Sequence, residues 1–406
     1  MDLASITLDD LQARQLAQPP KGRKGGWRLT PESAGQVAEL LHWAQDSDRK
    51  IAMSAADAEW LDEPLWLDLS RLNQVRQHSV EDFTIQMETG ITFGDLAALL
   101  EKHQQELPLS YPKDTLLADI LAEDRPALET GLRGYPRDYV LKTEIATPDG
   151  QLTLSGADVV KNATGYDLHK LYTGARHAFG VVTAVTLKLV SLPSARECWQ
   201  YSVESDNAAY SFSAKLLSSQ LPLRVCELYR EDGQWKFLVE IAGDSAQLKD
   251  AANLLIGMSE EQPRFLGAPQ CRTILLQSLQ NGPTKDIVLE AVLPVGGWPN
   301  FVDALLQRPD FHAIRFHVRP AAGLVYISGE SMHVRQIEAI AAEARHFGGF
   351  VQVVQAPFVI QEQGIQLMAT LAEYNLPRDE TARRLLKALK SGYDPKGILF
   401  CPQLPL

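Results

Sequence analysis

A glycine-punctuated stretch between Gly131 and Leu192 decides the fold, and its central part reads DVVKNATGYDL over residues 158–168. Glycines follow at positions 174 and 180, and residues 181–192 then carry mostly β-branched or apolar side chains on both alternating faces. A strand of that kind is typical of the centre of a sheet that is covered on both sides. The stretch therefore predicts a loop-rich segment that leads into a buried central strand.

The chain before this stretch predicts short helices and strands. The apolar residues between Val37 and Ala44 follow helical spacing, and Thr30 is expected to cap that helix. Thr92 is expected to cap a second helix. The other expected elements are a buried strand at 65–69, an alternating strand at 83–87, and a hairpin of strands 139–146 and 151–155. Residues 1–26, with Pro19-Pro20 and three glycines, are expected to form an irregular arm.

The second half of the chain contains a weak internal repeat. Residues 199–256 and 286–355 share the order strand, helix, strand, strand, helix, and the second copy adds a final strand at 350–355. Two linked copies of such a unit predict a ferredoxin-like α+β domain. We therefore expect an N-terminal arm (1–26), a first α+β domain (27–193), a second α+β domain (194–360) and a C-terminal segment (361–406).

Composition and charge exclude several classes of protein. The 406 residues are 45% hydrophobic and 22% charged, as in an ordinary globular protein, and the net charge is −12. An acidic chain disfavours binding to nucleic acid or to an anionic membrane surface. No apolar run approaches the roughly 18 residues of a membrane span. The first ten residues include acids and do not look like a signal peptide, so a cytoplasmic protein is expected, with peripheral membrane association through partners left open.

The sequence predicts no metal site. The four cysteines (Cys198, Cys226, Cys271 and Cys401) are too far apart for a zinc or iron–sulfur cluster and are expected to be buried free thiols. His312 and His317 are five residues apart and should lie on opposite faces of a strand, so structural or surface roles are expected for both. The glycine-rich signatures of dinucleotide folds and P-loops are not present either.

The stretch from 158 to 182 resembles the second FAD-binding subdomain of the vanillyl-alcohol-oxidase/PCMH-type flavoproteins. More narrowly, it resembles the GlcE-type FAD-binding subunit of bacterial glycolate oxidase/dehydrogenase. Segments 29–32, 67–72, 90–96 and 393–399 resemble other parts of the same family. The resemblance implies an α+β fold in which residues 27–193 form a PCMH-type FAD-binding domain of two α+β subdomains. It also implies a ferredoxin-like cap at 194–360 and a C-terminal segment that returns to the FAD domain.

The resemblance also implies a set of cofactor-binding residues around a non-covalent FAD. That set comprises Lys161, Asn162, Gly165, Tyr166, Asp167, Leu168, Gly174, Gly180, Val182 and Arg137. Glycines at such positions allow backbone to approach a flat flavin closely. Segment 50–66 contains no histidine, which removes the usual place for a covalent flavin link in this superfamily. No residue has a partner at a spacing that would make it a catalytic base, so catalytic residues stay unassigned.

Two segments depart from the family pattern. The glycine-rich diphosphate loop of the family is replaced by residues 50–64, which contain no glycine and four carboxylates. The Thr-Ile-Gly-Gly element of the family reads Thr115-Leu116-Leu117-Ala118-Asp119. Carboxylates repel a diphosphate, which proteins bind through positive charges and peptide N–H groups.

Two hypotheses for the function follow. In the first, the chain is an FAD-containing electron-transfer subunit of a glycolate (2-hydroxy acid) oxidase/dehydrogenase, with GlcD-like flavoprotein and GlcF-like iron–sulfur subunits as partners. In the second, it is a non-catalytic scaffold subunit of the same complex with weak or no FAD. A stand-alone FAD-linked oxidase is a third and weaker alternative.

Overall fold

The structure is a computed structural model that describes residues 6–19, 26–59, 61–158, 167–231, 233–259, 262–267, 273–274, 286–311, 314–330, 332–355 and 379–402. Its helices are α1 (Leu8–Ala13), α2 (Ala34–Asp46), α3 (Ala55–Ala58), α4 (Phe93–Glu101), α5 (Leu117–Glu123), α6 (His169–Tyr172), α7 (Asp206–Leu217), α8 (Ser245–Ile256), α9 (Trp298–Leu306), α10 (Val334–His346) and α11 (Glu380–Tyr393). Short 3₁₀ helices lie at Pro136–Asp138 and Pro309–Phe311.

The first strands are β1 (Ala17–Gln18), β2 (Trp27–Leu29), β3 (Ile51–Ala52), β4 (Leu65–Leu67), β5 (Val75–Ser79), β6 (Thr84–Glu88), β7 (Gln105–Glu106), β8 (Val140–Ala146), β9 (Leu152–Gly156), β10 (Val181–Lys188) and β11 (Val190–Ser191). The later strands are β12 (Ala195–Val203), β13 (Leu223–Glu231), β14 (Gln234–Gly243), β15 (Arg264–Leu266), β16 (Asp286–Val292), β17 (Arg315–Arg319), β18 (Leu324–Glu330), β19 (Phe350–Gln355) and β20 (Leu399–Phe400). Across the described residues they form two five-stranded sheets, one two-stranded pair and one eight-stranded sheet.

The first sheet has the order β1-β2-β4-β3-β20 and joins both ends of the chain. β2, β4, β3 and β20 run parallel to one another, β1 is antiparallel to β2, and β20 pairs with β3. Helix α2 covers this sheet with Val37, Leu40 and Leu41, all fully buried. The C-terminal segment therefore returns to the first part of the molecule.

Two details of this region correct the sequence predictions. Ser33, and not Thr30, caps α2, because the Ser33 hydroxyl accepts the Gln36 N–H. The expected irregular arm contains a regular element, since Thr7 and Asp10 form a capping box for α1. The Trp43 indole donates to the Ile6 carbonyl at 2.9 Å, which fixes this N-terminal element against α2.

The second sheet is antiparallel, with the order β5-β6-β10-β8-β9. β10 is its central strand, and seven of its eight residues are buried, as the alternation of residues 181–192 predicts. The expected hairpin is β8 and β9. The predicted cap of the second helix is also confirmed, since the Thr92 hydroxyl accepts the Asp95 N–H at 3.1 Å.

The eight-stranded sheet, here called the cap sheet, has the order β15-β12-β14-β13-β17-β18-β16-β19. Each copy of the predicted repeat supplies one half, and the halves join where β13 pairs with β17. One face packs under α7, α8, α9 and α10 and forms the largest apolar cluster, with Trp235, Trp298 and Phe301 at its centre. The ferredoxin-like repeat is therefore confirmed, whereas the boundaries at residues 26, 193 and 360 stay predictions.

The prediction of buried free thiols is confirmed at Cys226, which is free and buried. It is wrong at Cys198, which is disulfide-bonded, and Cys401 is a free thiol that is only partly buried. The tail helix expected around Leu367 and Leu371 lies outside the described residues. None of the described helices combines the length and apolar character that crossing a membrane requires.

Candidate functional site

A cluster of charged side chains lies at α5, in a segment that departs from the pattern of the resembled family. Asp119 is exposed to solvent, yet desolvation is the largest cause of the rise of its pKa to about 6. The neighbouring charges of Glu123 and Asp68 raise this pKa further. Glu123, Arg125 and Arg176 are partly accessible beside it. We call the surface lined by Asp119, Glu123, Arg125 and Arg176 the groove.

The segment in the place of the diphosphate loop is closed by its own hydrogen bonds. After β3, the Ser54 hydroxyl accepts the Asp57 N–H at 3.1 Å, and the Ser54 carbonyl accepts the Ala58 N–H at 3.1 Å. These bonds form the single turn of α3, with the Asp57 carboxylate in its first turn. Glu63 pairs with Arg49 at 2.6 Å. The segment therefore presents carboxylates and internally bonded amides where a diphosphate would need free donors.

The N-terminus of α5 has also used its donors. The Leu117 N–H donates to the Ile91 carbonyl at 3.0 Å, and the Ala118 N–H donates to the Thr89 carbonyl at 2.7 Å. Helix N-termini bind anions through such N–H groups when these are free. Because strand-end carbonyls occupy them here and Asp119 adds a negative charge, this helix end does not favour an anion.

Ion pairs fill the far end of α5. Glu123 pairs with Arg125 at 2.6 Å and with Arg176 at 3.5 Å. Asp124 accepts the Arg137 N–H at 2.9 Å and also contacts the Arg137 guanidinium. Burial raises the pKa of Asp124 even though Arg137 acts to lower it. The guanidinium groups of Arg125, Arg137 and Arg176 are therefore paired with carboxylates of the same chain.

The loop at 174–177 packs against this end of α5. The Gly174 N–H donates to the Leu121 carbonyl at 2.8 Å, and the Arg176 N–H donates to the Ala122 carbonyl at 2.7 Å. Arg176 and His177 both have left-handed backbone, with φ of 48° and 61°. Burial lowers the pKa of His177 to about 4, so its imidazole is neutral near neutral pH. Two residues other than glycine thus adopt left-handed backbone in this loop, which is uncommon.

The structure brings together some of the predicted cofactor-binding residues. Gly174 and Arg137 both converge on Asp124, since a Cβ at Gly174 would lie 3.2 Å from the Asp124 Cβ. Gly180 and Val182 pack against Ile145 in one apolar cluster, where a Cβ at Gly180 would meet Ile145 at 2.7 Å.

Of the remaining predicted residues, the structure describes Asp167 and Leu168. Asp167 is exposed and pairs with Lys170 at 3.0 Å, and the Leu168 side chain is 52% exposed. Lys161, Asn162, Gly165 and Tyr166 lie outside the described residues. Their roles as FAD ligands, like those of the other predicted residues, stay predictions.

The sequence analysis did not predict a row of polar side chains, here called the polar row, on the open face of the cap sheet, opposite its helices. Directly paired residues on five neighbouring strands form this row, which runs Tyr229, His317, Tyr326, Glu290 and Gln352. Glu227 contacts His317 and binds Arg319 Nε at 2.8 Å. His317 is therefore paired and only partly exposed. The available signal was the alternation of Arg315, His317 and Arg319 in one strand.

The polar row is a buried charge network that faces the first half of the chain. Burial raises the pKa of Glu290, which accepts hydrogen bonds from Tyr326 and Gln352. Burial also acts to raise the pKa of Glu227, but the charges of Arg319 and His317 hold it below its ordinary value. Each charge thus has a partner from the same chain.

Comparisons with known proteins relate part of the chain to FAD binding domains and show its fold. Residues 28–155 match the sequence profile of a family described as an FAD binding domain. A solved alkyldihydroxyacetonephosphate synthase superposes with a TM-score of 0.66 at 15% identity, covering 92% of this chain and 76% of that chain. The chain therefore has the predicted α+β fold of a PCMH-type FAD-binding domain followed by a ferredoxin-like cap.

Several curated relatives of the chain are named as enzymes or enzyme subunits that act on hydroxy acids. Glycolate oxidase subunit GlcD of Bacillus subtilis is 24% identical over 82% of this chain and 78% of its own length. Glycolate oxidase subunit GlcE of Escherichia coli is 25% identical over 61% of this chain and 73% of its own length. A D-lactate dehydrogenase of Anaerostipes hadrus is 28% identical, but the match spans only 31% of this chain and 27% of that protein. The chain is related to FAD-dependent oxidoreductases of this kind.

FAD itself fits the described groove poorly. The diphosphate of the cofactor needs N–H donors and positive charges, whereas α3 and α5 offer bonded amides and the carboxylates of Asp57 and Asp119. Arg125, Arg137 and Arg176 already bind carboxylates of this chain. The described residues at α3 and α5 therefore do not favour binding of a diphosphate.

Proposed function

We propose that this chain is a non-catalytic assembly subunit of a glycolate oxidase-type complex that oxidises 2-hydroxy acids, and that it binds FAD weakly or not at all. The observation that carries this proposal is the groove at α5. Its helix N-terminus is hydrogen-bonded to strand ends, and its accessible carboxylate has a pKa raised to about 6. Any FAD diphosphate placed there would meet negative charge in a poorly hydrated site.

The complex itself is proposed from the relatives. Proteins named GlcD and GlcE are subunits of glycolate oxidase, which supports a multi-subunit setting for this chain. We propose GlcD-like flavoprotein and GlcF-like iron–sulfur chains as partners. The flavin and the metal clusters would then belong to those partners. This chain would hold the partners together in the complex. Peripheral attachment to a membrane would also pass through the partners.

Purification of the full chain alone tests the cofactor part of the proposal. We expect a folded, colourless protein by circular dichroism and visible absorption, with substoichiometric flavin after denaturation. Stoichiometric FAD would contradict the proposal and support the first hypothesis, an FAD-containing electron-transfer subunit.

A comparison of FAD with riboflavin separates a defective diphosphate site from a general loss of flavin binding. Both flavins share the isoalloxazine, but only FAD carries a diphosphate. In titration calorimetry we expect FAD to bind no more tightly than riboflavin, because the phosphates add repulsion at Asp57 and Asp119. FAD binding that is tighter by two orders of magnitude or more would show a working diphosphate site.

Co-expression tests the assembly part. Tagged full-length chain should co-purify with GlcD-like and GlcF-like chains from the same source, and its deletion should lower the amount of the assembled complex. If the complex assembles in normal amount without this chain, the assembly role is refuted whatever the flavin content is.

A further inference from the structure

A short segment of the first half of the chain, residues 126–131, contacts the cap sheet. It follows the charged wall of the groove directly, since Glu123 and Arg125 precede it. It lies between α5 and the 3₁₀ helix at Pro136–Asp138 and contains no helix or strand of its own. Such segments are usually the mobile parts of a protein. This one, however, is held at four points by the cap sheet.

The first two points are a hydrogen bond and an apolar contact. Arg319, on β17, donates from Nη1 to the Pro126 carbonyl at 3.1 Å, and its side chain is only 3% exposed. Leu128 is buried in a small cluster with Cys198, Val225 and Leu238 of the cap sheet. The open face of the cap sheet thus binds the segment through both its polar and its apolar parts.

The third point is a buried guanidinium. Arg224, on β13, has a side chain that is 2% exposed and lies 3.2 Å from Glu129. Its Nη1 and Nη2 donate to the two carboxylate oxygens of Glu106 at 2.7 and 3.1 Å. Glu129 also accepts the Ser110 N–H and hydroxyl at 2.7 and 2.6 Å. Breaking one member of such a buried set costs several kcal/mol, because the remaining charges stay desolvated.

The fourth point is a close backbone contact. Gly131 has φ of +93°, and a Cβ there would lie 2.4 Å from the Ala321 carbonyl carbon in the turn between β17 and β18. Only glycine allows the two backbones to approach so closely. The segment is therefore matched to the cap sheet in charge, apolar contact and shape.

We propose that residues 126–131 form a fixed junction, so that the groove and the cap sheet move as one rigid body. The groove does not widen by opening of the cap, and any partner meets one composite surface of fixed geometry. This inference does not depend on whether the chain binds flavin, because its contacts are all between protein groups.

Hydrogen exchange on the full chain tests the junction. The Ala127 N–H donates to the Thr130 hydroxyl at 2.8 Å, and the Thr130 N–H donates to the Ala127 carbonyl at 3.2 Å, so both amides report on this segment. We expect them to exchange as slowly as the central strands of the cap sheet in the unmodified protein. Exchange as fast as that of an exposed loop would overturn the proposal without any variant.

Two variants sharpen the test. Arg224→Met keeps the side-chain volume and removes the shared guanidinium, and Glu106→Gln is a milder change that keeps one acceptor oxygen. Both should speed exchange of the 126–131 peptide by about tenfold or more and should split a single calorimetric transition into two. If Arg224→Met does not fold, Glu106→Gln and the unmodified protein decide. Unchanged exchange in Glu106→Gln would refute the ionic contribution.

Arg49→Met is the matched control. It removes a guanidinium from the surface pair with Glu63, just before β3 of the first sheet. Surface pairs contribute little to stability. We expect the same exchange at 126–131 and one calorimetric transition. A loss of protection in this control equal to that in Glu106→Gln would mean that any loss of an ion pair loosens the segment, which would refute the junction.

Discussion

Asp119 is the exposed carboxylate of the groove whose pKa is raised. Burial raises its pKa to about 6, and the charges of Glu123 and Asp68 add to this rise, because a carboxylate among carboxylates is costly to ionise. Its ordinary value is 3.8, so the folded protein binds a proton more tightly than the unfolded chain does. Ionised Asp119 therefore lowers the free energy of unfolding above about pH 6. Its negative charge would also repel a diphosphate.

Asp119→Asn should raise the melting temperature at about pH 7.5, and the gain should shrink as the pH falls to about 4.5. The sign follows from the raised pKa, since the cost of the carboxylate develops as the pH rises from 3.8 to about 6. Thermal unfolding at both pH values measures it. Asp114→Asn, at an exposed site in the preceding turn, is the control and should change little. A gain of equal size at both pH values would contradict ionisation as the cause.

Gly174 carries a second residue-scale prediction. Its φ is +85°, and a Cβ would press on the Asp124 Cβ at 3.2 Å. We expect Gly174→Ala to lower the free energy of unfolding by about 1–2 kcal/mol, measured in urea.

Gly35→Ala is the matched control for that change. Gly35 lies in the first turn of α2, and its Cβ would meet only the Ser33 Oγ, at 3.9 Å. Alanine should stabilise the helix there by up to about 1 kcal/mol. Equal effects at both positions would show that the left-handed backbone of Gly174 is not the cause.

At the scale of elements, the sequence predicted those helices, strands and caps that are determined by local residue patterns. The cap Thr92, the buried strand at 181–188 and the doubled unit of the cap sheet all follow from periodicity within a few residues. Ser33 was missed as a cap because Thr30-Pro31 is an equally good local signal, and only the path of the chain chooses between them. The arm was missed because its helix α1 is stabilised by the docking of Ile6 on Trp43.

The groove and the polar row could be predicted only in part. The missing glycines of residues 50–64 already indicated a poor diphosphate site. In the groove, Glu123 pairs with Arg176, which lies 53 positions away in the sequence. The polar row needs five strands whose order differs from their order in the chain. Neither arrangement has a local signature, since both depend on packing between distant segments.

The returning tail allows a prediction at this scale. Asp394, after α11, accepts the N–H groups of Ile398 and Leu399 at 2.9 Å each and pairs with Lys390 at 2.7 Å. It is 2% exposed. Asp394→Ala should therefore lower the free energy of unfolding by about 3 kcal/mol and release β20 from β3, measured by urea unfolding and hydrogen exchange.

Asp379→Ala is the control within the same tail. Asp379 caps α11 by accepting the Thr381 N–H at 3.1 Å, and it is exposed. Loss of a cap of this kind costs about 1 kcal/mol. If both variants lose the same stability, the buried carboxylate of Asp394 is not what holds the tail.

At the scale of the whole molecule, ordinary packing accounts for the fold. Apolar clusters lie under both five-stranded sheets and in the cap. The carboxylates of Asp57 and Asp119 lie outside these clusters, and the loop at 174–177 binds the end of α5 through the Gly174 and Arg176 N–H groups. A packed core beside carboxylates that disfavour a diphosphate is what we expect of the proposed assembly subunit.

A side chain that fills the groove separates an assembly role from an electron-transfer role. Asp119 is exposed, so Asp119→Trp places a bulky side chain on the groove surface. In a complex reconstituted with GlcD-like and GlcF-like chains, we expect 2-hydroxy acid oxidation to change less than about twofold, because no flavin in this groove carries electrons. Asp114→Trp places the same side chain at an exposed site outside the groove and controls for surface effects. A loss of activity of about tenfold or more in Asp119→Trp alone, with one flavin fewer per complex, would place a working FAD in this chain and refute the assembly role.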